Sequence, residues 1–212
     1  MKFVCSNCGD CCRDFGYGPG LNLFQWEAKM FDEHYPFPTL YDKKHKQTIA
    51  LFWNSRMNNC PLLNKNKCMK YDNRPLVCKA FPLLNSGLIS GKEFVISSGC
   101  SQEKLLQKIA KKINSEKNES KRIELMKEAF DDTILALIQL ELTRDFIYKE
   151  IDKMEDKGLI KIDDSVTGIT EKVVDVFDLM LKIRYISKDK LKKIIYNIQN
   201  LEDAEKYLNK KA

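Results

Sequence analysis

Residues 5–12 read Cys-Ser-Asn-Cys-Gly-Asp-Cys-Cys, so half of the chain's 8 cysteines stand in one short segment. Gaps of two residues allow neighbouring thiolates to converge on one metal ion or cluster while the backbone, eased by Gly9, turns around it. The side chains of Cys11 and Cys12 point in different directions in most backbone conformations, so both serve one mononuclear site only with strain. The spacing therefore indicates a metalloprotein in which one of these two cysteines is available to a second site.

The remaining cysteines also lie in the first half of the chain, and Cys100 is the last of them. It stands directly before a predicted helix start, where unsatisfied N–H groups and the helix dipole lower the pKa of a thiol. This position predicts a ligand brought from a distance, with a small buried apolar side chain as the alternative. The predicted metal ligands are Cys5, Cys8, Cys11, Cys12, Cys60, Cys68, Cys78 and Cys100.

The composition indicates a globular protein. Hydrophobic residues make up 43% of the 212 residues, which is enough for a core. No apolar run approaches the roughly 20 residues needed to cross a bilayer, and residues 1–4 run directly into the cysteine motif without the apolar core of a signal peptide. We therefore expect a cytoplasmic protein with no membrane partner. In a reducing cytosol, so many cysteines favour metal or redox chemistry over disulfides.

The net charge of +6 is concentrated where the cysteines are. Residues 1–100 hold 13 Lys and Arg against 8 Asp and Glu, whereas the rest of the chain is close to neutral. A basic surround stabilises deprotonated ligands. Nucleic acid would use the same charge, with residues 43–46 as phosphate contacts, but no nucleic-acid motif or long basic stripe accompanies them, so the sequence argues against that partner. His34 and His45 stand at no ligand spacing from a cysteine, and we expect them at the surface or as caps.

The two halves of the chain differ in composition. All 6 prolines and 7 of the 9 glycines occur by residue 99, which predicts an irregular, loop-rich half. From residue 101 onward proline is absent, and apolar residues recur at three- and four-residue steps. The fold class that follows is α+β, mainly α: a loop-rich cysteine metal-binding module with minor strands over residues 1–100, followed by a C-terminal α-helical bundle over residues 101–212.

Local patterns predict the individual elements. In the first half, Asn22 and Gln25 form a capping pair ahead of a helix over Leu23–Glu33, and strands are expected at Thr48–Trp53 and Glu93–Ser97. In the second half, apolar periodicity predicts helices over residues 105–113, 123–154, 173–181 and 187–198, with the second ending near Gly158 and a short final turn reaching Leu208.

The motifs around the later cysteines complete a pattern known from other proteins. Residues 60–63 read Cys-Pro-Leu-Leu, residues 71–82 read Tyr-Asp-Asn-Arg-Pro-Leu-Val-Cys-Lys-Ala-Phe-Pro, and residues 99–100 read Gly-Cys. With the opening C-x-x-C-G-x-C-C, this order resembles the YkgJ-like or CxxCxxCC family, whose members are described as zinc- or iron-chelating or as containing iron–sulfur clusters. The resemblance covers residues 5–100, and it departs at Lys79, where arginine is the more usual residue. It implies a metal-binding module more directly than any reaction.

Three cations flank the cysteines. Arg13 follows Cys12, and Arg74 and Lys79 bracket Cys78, so each is placed to favour a thiolate or to donate to cluster sulfur. We predict these three as cofactor-binding residues. The alternative is plain solvation or a carboxylate partner such as Asp72.

The metal and the role stay open between alternatives. A [4Fe–4S] cluster is favoured because three cysteines in one short loop plus a distant fourth are typical of such clusters, while zinc is favoured because any four thiolates close a tetrahedral site. The leading function is electron transfer, metal handling or support of a partner enzyme, with an unidentified protein or redox partner. The alternatives are a zinc-stabilised interaction protein with a helical docking domain, and a cluster-dependent protein-lysine methyltransferase, since flagellin lysine methylases carry a similar cysteine module.

Overall fold

The structure, a computed structural model, describes residues 1–6, 8–13, 21–55, 59–166, 170 and 172–211, with the backbone alone at Pro38 and Thr39. The chain forms two compact units. The first comprises Met1–Tyr17, Asn58–Leu142 and Asn197–Ala212, and the second comprises Gly18–Met57 and Thr143–Tyr196. The division at residue 100 stays a prediction.

A four-stranded sheet forms the second unit's framework. Strands β2 (His34–Asp42) and β3 (Gln47–Ser55) are antiparallel and pair along their whole length, from His34↔Ser55 to Asp42↔Gln47. The other edge of β3 carries β1 (Asn22–Leu23) near one end and β8 (Val173–Asp175), which runs parallel, near the other. β3 is rich in β-branched and aromatic residues and is buried except at Trp53, as expected of a central strand.

Helices complete the second unit. They are α1 (Gln25–Ala28), α5 (Val176–Lys182), most of α6 (Lys188–Gln199) and the last part of α4 (Glu119–Asp156). Asp175 is the N-cap of α5, because its carboxylate accepts a hydrogen bond from Phe177 N at 2.9 Å. α4 ends before Gly158, whose φ of 63° suits glycine.

The first unit combines short elements with long helices. The short ones are a 3-10 turn at Asp10–Cys12, the hairpin β4 (Leu63–Asn64) and β5 (Lys67–Cys68), helix α2 (Leu76–Ala80), and the strand pair β6 (Leu83–Asn85) and β7 (Val95–Ile96). The long ones are α3 (Glu103–Ser115), the first part of α4, and α7 (Glu202–Lys211). Phe130 of α4 lies at the core, with its ring 6.0 Å from that of Phe3 and 5.6 Å from that of Phe94.

The fold class α+β with helix predominating is confirmed, with about 47% helix and 16% strand. The predicted strands at 48–53 and 93–97 correspond to β3 and β7, and the helices predicted over 105–113 and 187–198 correspond to α3 and α6. The single helix predicted over 123–154 corresponds to α4, which is kinked at Asp131, where φ is 41°. No described helix is both long enough and apolar enough to span a bilayer.

Two element predictions are wrong in extent. The helix expected over Leu23–Glu33 is confined to Gln25–Ala28, because Asn22 pairs with Asn54 in the sheet and Glu27 accepts from Phe24 N at 3.0 Å to start the helix. The helix expected from Val173 begins only at Val176, because residues 173–175 add a strand to β3. The C-terminal half therefore contributes to a sheet as well as to helices.

Strand β2 was not anticipated at all. It contains two prolines, which normally argue against a strand, but it lies at the edge of the sheet, where a missing N–H breaks no ladder.

Candidate metal centre

Hydrogen bonds at Phe3 and Val4 anchor the start of the N-terminal cysteine loop. Phe3 N donates to the carbonyl of Ala129 at 2.8 Å, and Gln102 Nε2 donates to the carbonyl of Val4 at 2.7 Å. The loop then closes in the 3-10 turn, where Cys12 N donates to the carbonyl of Gly9 at 2.9 Å. Gly9 has a φ of 78°, in the left-handed region that glycine adopts without strain. The loop is thus held at its start and tightened at its end.

A second arm brings two further cysteines to the end of this loop. Cys60 N donates to the carbonyl of Cys12 at 2.8 Å, which ties the two arms together through the backbone. The hairpin β4–β5 then places Cys68 opposite Leu63, and Met69 N donates to the carbonyl of Leu62 at 2.8 Å. Cys60 and Cys68 therefore lie on the Cys12 side of the loop.

Close backbone approach at Gly9 joins the two arms. A Cβ atom at this position would lie 3.1 Å from Leu63 Cδ1 and 3.2 Å from the Cα of Asn66, at the hairpin turn. Such distances are tighter than ordinary van der Waals contacts. Glycine is required here both by its φ and by the hairpin packed against it.

Helix α2 delivers a third arm. Pro75 stands at its N-cap, and Cys78 N donates to the carbonyl of Pro75 at 2.9 Å in the first turn. Electrostatic repulsion from Cys78, Cys5 and Cys8 disfavours the Cys11 thiolate, and so opposes the lowering of the Cys11 pKa. Cysteines of the loop and of α2 therefore lie near enough to Cys11 to interact with it electrostatically.

The thiols fall into two groups. The first thiol group is defined by electrostatic interaction. It comprises Cys11, the three cysteines that interact with it, and Cys100, which interacts with Cys8 and Cys5; its members are Cys5, Cys8, Cys11, Cys78 and Cys100. The second thiol group consists of Cys12, Cys60 and Cys68, in which Cys12 hydrogen-bonds with Cys60 and interacts with Cys68. The Sγ atoms of Cys11 and Cys12, 4.0 Å apart, connect the groups.

Hydrogen bonds between thiols lower the pKa of Cys11 and raise those of Cys12 and Cys60. The pKa of Cys11 is lowered, chiefly because the Cys12 thiol donates to it, although burial and the neighbouring thiolates oppose this effect. The bond to Cys11 correspondingly raises the pKa of Cys12 to about 11, with a smaller opposing effect of Cys60. The pKa of Cys60 is raised further, first by its bond to Cys12 and then by burial. Cys11 thus has a lowered pKa, whereas its neighbour Cys12 and the more distant Cys60 have raised ones.

The acidity expected of Cys100 is wrong in sign. Burial raises its pKa, and the backbone hydrogen bond from Gln102 only partly opposes this. Helix α3 begins at Glu103, so Cys100 lies ahead of the N-cap rather than at it.

The donor set fits a thiophilic metal in its chemistry. All eight cysteines are free, and most are partly buried. Over the described residues, however, no group of three or more Cys, His, Asp or Glu side chains is arranged to hold a metal ion. The ligand role of each cysteine stays a prediction.

The three predicted cations have different surroundings. Arg74 Nε donates to the carbonyl of Tyr71 at 2.9 Å, and its guanidinium stacks 3.8 Å from the centre of the Tyr71 ring. The Tyr71 hydroxyl in turn hydrogen-bonds with Cys5, so Arg74 reaches the first thiol group through Tyr71. Arg13 Nη1 lies 4.0 Å from Asp10 Oδ1, and Lys79 lies in the last turn of α2.

The sequence analysis did not identify Tyr71 as a contact of the cysteines. The one indication in the sequence was that Tyr71 belongs to the Tyr-x-x-Arg-Pro-x-x-Cys segment, three residues before Arg74. Spacing along the chain does not show that a side chain folds back onto a distant loop.

Both histidines lie in the second unit. His34 begins β2, its Nδ1 lies 3.0 Å from the carbonyl oxygen of Phe31, and its ring meets Trp53 edge-on. His45 lies in the turn between β2 and β3, with Nδ1 2.6 Å from Asp42 Oδ2.

Residues 4–104 match the model of the CxxCxxCC family, described as a "putative zinc- or iron-chelating domain". Curated proteins and solved structures give no match. The matched segment contains all eight cysteines and all three arms described above. Residues 4–104, just under half of the chain, are therefore similar to the CxxCxxCC family of domains.

Proposed function

We propose that this zinc- or iron-chelating chain carries a [4Fe–4S] cluster on the first thiol group and serves in electron transfer, metal handling or support of a partner enzyme. The spacing supports this most strongly, because Cys5, Cys8 and Cys11 stand on one anchored loop and Cys78 interacts electrostatically with Cys11. Three cysteines at two-residue gaps, joined by a distant fourth, are typical of a four-iron cluster.

The chain's own residues account for how such a cluster is held. Cys5, Cys8 and Cys11 come from the anchored loop, and Cys78 or Cys100 supplies the fourth thiolate. Tyr71 contacts Cys5, and Arg74 holds Tyr71 in place. Hydrogen bonds and nearby cations of this kind tune the potential of a cluster. A bound [4Fe–4S] cluster supplies one-electron redox chemistry.

The second thiol group is proposed as a separate site for a single metal ion. Cys12, Cys60 and Cys68 give three thiolates, one fewer than a closed tetrahedral zinc site uses. Because Cys11 and Cys12 belong to different groups, their adjacent side chains need not share one ion.

The test is anaerobic purification followed by iron, zinc and acid-labile sulfide analysis and a visible spectrum on the same sample. We expect about four irons and four sulfides per chain, with a broad charge-transfer absorption. Cys11→Ser is expected to remove this absorption, whereas Cys12→Ser is expected to keep it and to lose any additional metal ion. A colourless protein with zinc as its metal would contradict the cluster.

A further inference from the structure

A cluster of exposed cations lies beside the proposed metal centre. The β4–β5 hairpin and the residues that follow it carry Lys65, Lys67 and Lys70, all exposed. Lys65 and Asn66 both have positive φ, 44° and 69°, so the hairpin closes in a tight two-residue turn. Gly9 packs against that turn. The lysines are therefore presented by a short hairpin fixed against the cysteine loop.

These lysines are not used in ion pairs within the described part of the chain. No carboxylate there lies within ion-pair distance of Lys65, Lys67 or Lys70. Asp72 is the single acidic residue between positions 59 and 79. Lysines that served only to balance the negative charge of the thiolates would not need to lie at the exposed tip of a hairpin. The uncompensated charge is available to an anionic partner.

Exposed apolar side chains accompany the cations. Met69 is 57% exposed, Val4 is 67% exposed, and Tyr71 is 38% exposed. Met69 directly follows Cys68, Val4 directly precedes Cys5, and Tyr71 hydrogen-bonds with Cys5, so each is tied to a thiol. Apolar and aromatic contacts ringed by charge are typical of protein docking sites.

We propose that this surface, the basic rim formed by Val4, Lys65, Lys67, Met69, Lys70 and Tyr71, docks a small acidic electron-carrier protein. The proposal rests on the proposed function, since the carrier's purpose is to exchange one electron with the cluster. The reduced carrier loses one electron and the cluster gains it, without any bond being made or broken. Complementary charge speeds such encounters and orients the two centres.

A protein fits the basic rim better than a nucleic acid does. Nucleic-acid binding uses a longer track of cations spaced along a phosphate backbone. The hairpin and its exit carry three lysines, too few for such a track, and the exposed side chains of Met69 and Tyr71 flank Lys70 in the sequence.

The experiment measures binding of two acidic carriers, a purified flavodoxin and a purified plant-type ferredoxin, by titration calorimetry with the full-length protein. The test variant is K65E/K67E/K70E. The matched control is K188E/K192E/K193E, which changes the net charge equally at exposed lysines of α6. If the test variant loses iron, K65Q/K67Q/K70Q replaces it.

At low ionic strength we expect at least one carrier to bind, and to bind on the order of 10- to 100-fold more weakly to the test variant. The control should bind like the wild type, and added salt should weaken wild-type binding. The proposal is overturned if neither carrier binds, if both variants bind equally, or if labelled DNA binds through the same lysines while the carriers do not.

Iron and sulfide analysis of the same samples separates the two proposals. If the protein contains no cluster but still binds a carrier through the hairpin lysines, the proposed function is contradicted and the docking surface is supported. A cluster-containing protein that binds neither carrier would contradict the docking surface alone.

Discussion

The β2–β3 pair aligns nine-residue strands in one antiparallel register, whereas the longest regular element between residues 59 and 100 is the five-residue helix α2. The sheet is stabilised by ladder hydrogen bonds and by a buried central strand. The cysteine segment, residues 1–6, 8–13 and 59–100, is instead connected by single backbone bonds between loops, such as Cys60 N to Cys12 O.

This difference indicates where a bound metal contributes to stability. Segments with few regular elements bury too little apolar surface to repay the entropy of ordering them, and a metal that binds only the folded form supplies the missing free energy. The sheet needs no such contribution. We therefore expect perturbations of the thiols to loosen the cysteine segment and to leave the sheet intact.

The largest effect is expected from replacing a thiol of the first group. Cys78→Ser removes the thiol delivered by α2. If Cys78 is the fourth ligand of the proposed cluster, we expect loss of bound metal and destabilisation of the cysteine segment by roughly 5 kcal/mol or more. Loss of visible absorption together with a denaturant melt measures this effect. Ser6→Ala, in the same loop but without a thiol, is the control and should retain the metal. Full metal content in Cys78→Ser would exclude Cys78 as a ligand.

A smaller effect is expected in the sheet, at Asp175. Burial is the main reason that its pKa is raised from 3.8 to about 6, against the opposing hydrogen bonds from Trp53 Nε1 at 2.8 Å and from Phe177 N. Between pH 3.8 and about 6, the Asp175 carboxyl is therefore protonated in the folded state and ionised in the unfolded state. Stability from this group is complete below pH 3.8 and is lost as pH rises through about 6, on the order of 3 kcal/mol in all.

Asp175→Asn is expected to flatten that part of the stability profile. Both tryptophans of the chain, Trp26 and Trp53, lie in the second unit, so their fluorescence follows unfolding there. Asp189→Asn, at an exposed position of α6, should keep the wild-type slope between pH 4 and 6. An unchanged slope in Asp175→Asn would show that another group titrates.

The smallest effect is expected at Gly9. Gly9→Ala places a Cβ against Leu63 and Asn66 at a φ of 78°, and we expect a loss of about 2 kcal/mol with reduced iron content. Gly91→Ala is a matched control, because Gly91 has a φ of 67° but no atom within 4 Å of its Cβ position. The control should show the backbone strain alone and keep its iron. Equal iron content in both variants would contradict the role of the Gly9 contact.

Sequence periodicity predicted the elements that depend on local pattern. Helices α3, α4 and α6 have apolar residues at helical spacing, and β3 has β-branched and aromatic residues, so each was predictable without a partner. Strands β2 and β8 were not predictable, because each depends on pairing with β3. This pairing overrides the prolines of β2 and the helical pattern of β8. Local propensity does not encode such distant partners.

The candidate site shows the same limit. The motif spacing predicted that the side chains of Cys11 and Cys12 diverge, but in the structure their Sγ atoms lie 4.0 Å apart and hydrogen-bond with each other. The contact of Tyr71 with Cys5 and the packing of Gly9 against the hairpin depend on how separate loops meet. Neither could be predicted from spacing.

Amide hydrogen exchange on the metal-loaded and metal-stripped protein is the most direct test of the account. We predict that stripping the metal under reducing conditions abolishes protection at Cys12, Cys60 and Cys78, and leaves the β2–β3 amides protected as before. Equal protection of the cysteine segment in both forms, or simultaneous loss of protection in the sheet, would contradict the claim that metal binding holds the cysteine segment together.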